Sequence, residues 1–197
     1  MGQSNINLAA LIGSRICHDL ISPIGAINNG LELLGMSNGQ TGPELDLISE
    51  SVGNASARIR FFRIAYGAAS AQPLGRAEVV SILSDSMDGG RLKAVYGPLD
   101  PQPRWAVRMA FLAVQCLETA LPYGGRIEIA CTDGTWDITG HSAKQSVDSS
   151  LWGLLKGEGV NELAPAHVQF ALLPEVAADA QRKISTQLLP DRLTIRF

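Results

Sequence analysis

The chain is predicted to be an α+β protein, with an antiparallel helical hairpin over residues 1–70 and an α/β sandwich over residues 76–197. Three observations carry this reading. Apolar residues recur at intervals of three and four through the N-terminal part, as on one face of a helix. After Ala71-Gln72-Pro73-Leu74-Gly75, which reads as a linker, short alternating runs take turns with helical ones. Of the 197 residues, 46% are hydrophobic and only 18% charged, enough apolar surface to bury a core.

The first helix is expected from about Asn7 to Leu34, with Leu8, Ile12, Ile16, Leu20, Pro23/Ile24, Ile27, Leu31 and Leu34 as its apolar stripe. Gly35-Met36-Ser37-Asn38-Gly39-Gln40-Thr41-Gly42 ends it, being a cluster of turn formers. Thr41 or Gly42 is expected to cap the second helix, with Pro43 in its first turn and Glu44 placed for a capping box with Thr41. Leu45, Ile48, Val52, Ala55, Ile59, Phe62 and Tyr66 form a heptad seam along it. Two such helices joined by a short turn leave apolar surface wet. A homodimeric four-helix bundle would bury it.

Beyond the linker, Glu78–Ser86 reads as helix, Leu92–Tyr96 as strand and Trp105–Leu121 as a long helix. Arg126–Cys131 and Thr135–Thr139 form a hairpin around Asp133-Gly134. Leu151–Leu155 is a short helix, and Ala166–Arg182 is helical despite Pro174. Ile184–Leu188 and Leu193–Phe197 close the chain as a second hairpin.

Composition excludes several classes. A net charge of −3 gives no general attraction to nucleic acid or anionic lipid. Cys17, Cys116 and Cys131 lack paired spacing, so buried free thiols are expected instead of disulfides or zinc. His141 and His167 show no ligand spacing either. No apolar run reaches about 18 residues, and Met1–Ile6 lacks the layout of a signal peptide. A cytoplasmic location, with neither membrane nor nucleic acid as partner, fits.

His18 stands apart. On a helical wheel it lies about 180° from the centre of the apolar stripe, on the outer face. Ser14, Arg15, Ser22, Gly25 and Asn29 fall near it, a small, polar and nearly flat surround that suits a docking protein better than a small molecule. Pro23, one turn on, removes the backbone donor to the Asp19 carbonyl. Ser22, His18 and Asp19 together suggest a hydrolytic triad, but Asp19 is splayed about 100° from His18 and no pocket is evident, so that reading is poor.

His18-Asp19-Leu20-Ile21-Ser22-Pro23 resembles the H-[DE]-L-x-x-P phosphoacceptor motif of sensor histidine kinases. The run from Arg15 to Glu32, with Asn54–Arg63 in the second helix, is similar to the ChpT-like bacterial histidine phosphotransferases. The resemblance is strong over residues 5–70. It implies that His18 relays a phosphoryl group between receiver-domain aspartates in a two-component phosphorelay. The receivers belong to response regulators and to a hybrid histidine kinase. It also implies that Asp19 engages the other ring nitrogen. On this reading Arg15 faces the transferred oxygens or an acidic rim on the receiver, and Ser22, Gly25 and Asn29 supply docking surface. The second half resembles the kinase ATP-binding sandwich in a degenerate form. Trp105–Leu121 holds Gln115, Glu118 and Thr119 but no Asn, and no D-x-G-x-G occurs; Gly153…Gly157-Glu158-Gly159 lacks the aspartate. No nucleotide cofactor is therefore expected, and Mg²⁺ is expected on the receiver. The competing readings are a non-catalytic dimeric docking or inhibitory protein for histidine kinases, and a divergent active kinase fragment.

Overall fold

A computed structural model describes residues 7–36, 43–67, 71–159 and 162–197. Helix α1 runs Leu8–Met36 and helix α2 Pro43–Ala65. The Asn7 side chain caps α1 by accepting from the Ala10 amide at 3.1 Å. Pro23 lies inside α1, which continues through it as one helix. In α2, Glu44 and Asp46 stand in the first turn and Arg63 in the last, each sign matched to the helix dipole. The expected cap at Thr41 or Gly42 falls outside the described residues.

The two helices run antiparallel, because Asp19 lies beside Arg58 while Gly30 lies beside Ile48. Gly30 sets the closest approach. A Cβ there would come within 2.5 Å of Ile48 Cγ1.

The remainder is a five-stranded sheet with helices against one face. Helix α3 (Arg76–Met87) leads to strand β1 (Leu92–Tyr96), and helix α4 (Arg104–Ala120) leads to β2 (Gly125–Thr132) and β3 (Thr135–His141). Helix α5 (Ser149–Leu154), a 3-10 turn (Pro165–His167) and helix α6 (Val168–Asp179) precede β4 (Ser185–Leu189) and β5 (Arg192–Arg196). The sheet order is β1-β2-β3-β5-β4, with β1 parallel to β2 and the other pairs antiparallel. Every expected element is present to within a few residues. The β2–β3 turn carries Asp133 at φ 50° and Gly134 at φ 77°, the double left-handed geometry of a two-residue hairpin. Asp148 caps α5, accepting from the amides of Ser150 and Leu151.

Helix α4 is buried almost all round, because α2, α6 and the sheet pack against different sides of it. The core runs without interruption from the hairpin into the sandwich. Phe61 of α2 stacks on Phe111 of α4 at 4.7 Å, and Leu8, Leu11, Ile12 and Ile16 of α1 pack against the same cluster. The segment read as a linker is anchored: Leu74 is buried and exchanges two 2.9 Å backbone hydrogen bonds with Gln102. Among the described residues, no helix is long and apolar enough to cross a membrane, and no His, Cys, Asp and Glu cluster is placed to hold a metal ion.

Candidate functional site

Helix α1 turns the His18 side chain outward, where it is 80% exposed. One position on, Asp19 turns inward beneath it and is only 9% exposed. Its Oδ1 lies 3.0 Å from His18 Nδ1. The 100° splay expected between neighbours on a helix therefore does not keep them apart, since the short aspartate reaches sideways to the ring. Ser22 stands one turn away on open surface and lines a groove.

Asp19 Oδ2 is held by Arg15, whose Nε donates to it at 2.7 Å. Arg15 Nη1 donates in turn to the backbone carbonyl of Ala166, in the 3-10 turn before α6. This corrects the expected placement of Arg15 toward the transferred oxygens. Its side chain is 16% exposed, drawn inward by a carboxylate and a carbonyl that satisfy its donors.

A second guanidinium, Arg58 of α2, stands 3.7 Å from the same Asp19 oxygen and is 48% exposed. The motif reading did not single it out; only its position in the Asn54–Arg63 segment signalled it. Glu118, in the last turn of α4, faces Arg15, Arg58 and Asp19. It keeps an exposed edge, yet crowding by the protein raises its carboxyl above the usual range against the pull of both guanidiniums. Tyr66 closes the inner side. Its hydroxyl donates to Gln115 Oε1 at 2.9 Å, and burial pushes it up to about 12.

The surround of His18 is neither flat nor wholly polar. Ile21, one turn away, is 69% exposed, and the thiol of Cys17 is exposed where a buried one was expected, because residue 17 shares the outer side of α1. A groove of about 800 Å³ opens between α1, α2 and the turn after α3, lined among others by Asp19, Ser22, Pro23, Asn54 and Arg58. Gly25 has open space above it, and Asn29 is exposed on the same helix beyond the groove. His18, Asp19 and Arg15 thus converge, whereas Ser22, Gly25 and Asn29 form surface beside them.

In the sandwich, three of the positions compared with a nucleotide site, Gln115, Thr119 and Gly153, make internal contacts. Gln115 is buried against Tyr66, and Thr119 accepts from Gln169 Nε2 at 3.0 Å. Gly153 lies against the Glu158 side chain. His141 stands 3.7 Å from Glu128 on the outer face of the sheet, and His167 packs edge-on to Phe170.

Comparison with known proteins finds a family profile, the histidine phosphotransferase C-terminal domain, matching residues 76–192. The protein phosphotransferase ChpT of Brucella abortus (strain 2308) is 34% identical over 190 residues, covering 92% of this chain and 90% of that protein. A bacterial phosphotransferase solved at 1.7 Å superposes with a TM-score of 0.81 at 30% identity, over 100% of this chain and 98% of that one.

Proposed function

Because this chain belongs to the histidine phosphotransferase family, we propose that it carries a phosphoryl group between receiver-domain aspartates through His18. One observation carries the assignment to that residue: an exposed imidazole whose Nδ1 is engaged by a buried carboxylate. An ionised carboxylate only accepts hydrogen bonds, so Nδ1 is the donor, and in the neutral imidazole Nε2 keeps its lone pair. Nε2 attacks the phosphorus of a receiver's aspartyl phosphate. The N–P bond forms, the acyl P–O bond breaks, and the receiver's carboxylate leaves. The reverse sequence delivers the group to a second receiver. Phosphoryl transfer asks mainly for alignment and charge compensation, and Asp19 balances the positive charge that the ring gains.

The receivers are those of response regulators and of a hybrid histidine kinase, and they bring the Mg²⁺. Ser22, Gly25 and Asn29 with the adjoining groove supply docking surface. The internal use of Gln115 and Thr119 supports a sandwich that serves without nucleotide. The protein acts in the cytoplasm.

It works as a homodimer. Along the α2 seam, Ala55 and Phe62 are buried within the chain and Ile48 is half-buried, whereas Leu45, Val52 and Ile59 remain exposed. The exposed three recur every seven residues, and Ile21, Ile24 and Leu31 are exposed along α1. A second hairpin placed on those rows completes a four-helix bundle.

The test is incubation of the purified chain with a phosphorylated receiver and, separately, with labelled ATP alone. Label is expected from the receiver, none from ATP, and none in His18→Ala. Undiminished labelling of His18→Ala overturns the assignment, and self-labelling from ATP makes the chain a kinase.

A further inference from the structure

The sandwich reaches the reacting centre through a hydrogen bond at the Ala166 carbonyl, which receives Arg15. From there the contacts form a chain. Arg15 Nη1 bonds Ala166, Arg15 Nε bonds Asp19 Oδ2 at 2.7 Å, and Asp19 Oδ1 meets His18 Nδ1 at 3.0 Å. An arginine and an aspartate four residues apart on a free helix make a loose, exchanging pair. Here the arginine is tied at its far end to a different part of the fold, and both partners are largely buried. Little rotamer freedom is left to either.

We propose that Arg15 is a positioning residue that transmits the fixed placement of the sandwich to the nucleophile, so that the C-terminal half serves the chemistry by holding the imidazole tautomer. Ala166 orients the guanidinium, the guanidinium orients Asp19, and Asp19 keeps the proton on Nδ1. If the proton moves to Nε2, the remaining lone pair on Nδ1 faces the negative oxygen of Asp19 and no N–P bond forms. Arg58 cannot substitute, because it stands 3.7 Å from the same oxygen and half in solvent. Among the described residues, the other titratable groups that face the pair are Glu118 from α4 and Tyr66 from the end of α2.

The inference rests on His18 being the phosphoryl acceptor, and the test separates the two. Ring nitrogen shifts of His18 are read by NMR in the full chain labelled with ¹⁵N-histidine, His18→Ala assigning the signal against His141 and His167. Phosphoryl uptake from a phosphorylated receiver is timed in parallel. In Arg15→Gln the His18 shifts are expected to move from the Nδ1–H form toward the mixture of a free imidazole. Uptake is expected to slow about tenfold or more, at an unchanged half-saturating receiver concentration. Arg15→Lys keeps the charge but replaces the planar fork with a single head. It is expected to shift the ring signals in the same direction by less, and it decides the matter should Arg15→Gln fail to fold. Ring shifts identical to wild type in the folded variants overturn the proposal even if the wild type takes up phosphate. A wild type that shows the tautomer but takes up no phosphate overturns the acceptor reading instead.

Discussion

Asp19 shows how much one residue's direction decides. The helical wheel places His18 outward correctly, because that depends only on the periodicity of α1. It also places Asp19 to the side, but it cannot say what the carboxylate meets there. Asp19 is expected to contribute mainly through its negative charge on Nδ1. Asp19→Asn keeps the shape and loses that charge, and it offers Nδ1 either a donor or an acceptor. It should slow phosphoryl uptake by about 100-fold, within the range for a lost acid–base partner, and lower the melting temperature because the largely buried Arg15 loses its counter-charge. Timed uptake and a melting curve on the same sample check both halves. The direction of Arg15 is hidden from the sequence for a related reason: its side chain is committed by a carbonyl 151 positions along the chain, and no local pattern reports such a partner.

Among the elements, periodicity was a good guide to existence and a partial guide to contacts. The heptad seam of α2 is present, but the structure buries only part of it, with Ala55 and Phe62 turned to this chain's own interior and Val52 and Ile59 left open. A pattern of apolar positions cannot make that division, since both rows read alike. Val52→Lys with Ile59→Lys is expected to convert the proposed dimer to monomer in sedimentation equilibrium, with the helical circular dichroism retained. An unchanged dimer mass would place the contact elsewhere. The α1–α2 spacing offers a second check. Gly30→Val drives a branched side chain into Ile48 and is expected to cost about 2 kcal/mol in urea unfolding, the usual penalty of overpacking a tight contact.

The molecule as a whole departs from the sequence reading in how its halves are joined. Linker-like composition at Ala71–Gly75 separates two units, yet Phe61 and Phe111 share one buried cluster, the N-terminal turns of α1 pack against it, and Leu74 is hydrogen-bonded in place. Burial across the boundary is a property of assembled surfaces, invisible to composition along the chain. Unfolding followed by near-ultraviolet and far-ultraviolet dichroism is therefore expected to give one coincident transition, and Phe61→Ala is expected to lower it by about 3 kcal/mol. Stability should also fall in alkali. Folding buries Tyr66 and Tyr96 and raises both phenols from about 10 to about 12. The folded chain thus holds protons that the unfolded chain releases, so this stability is whole below about pH 10 and declines as pH climbs toward about 12. Urea midpoints at about pH 9 and about pH 11 measure the decline. The double variant Tyr66→Phe with Tyr96→Phe should flatten it.

The tether at Ala166 is made by main chain, which every amino acid possesses. Replacing the methyl at that position leaves the acceptor oxygen in being, so the join tolerates drift at 166 while remaining intolerant of change at 15. What must stay constant is the path of the backbone through the short turn ahead of α6. An insertion or deletion there would travel to the His18 ring more surely than any exchange of side chain.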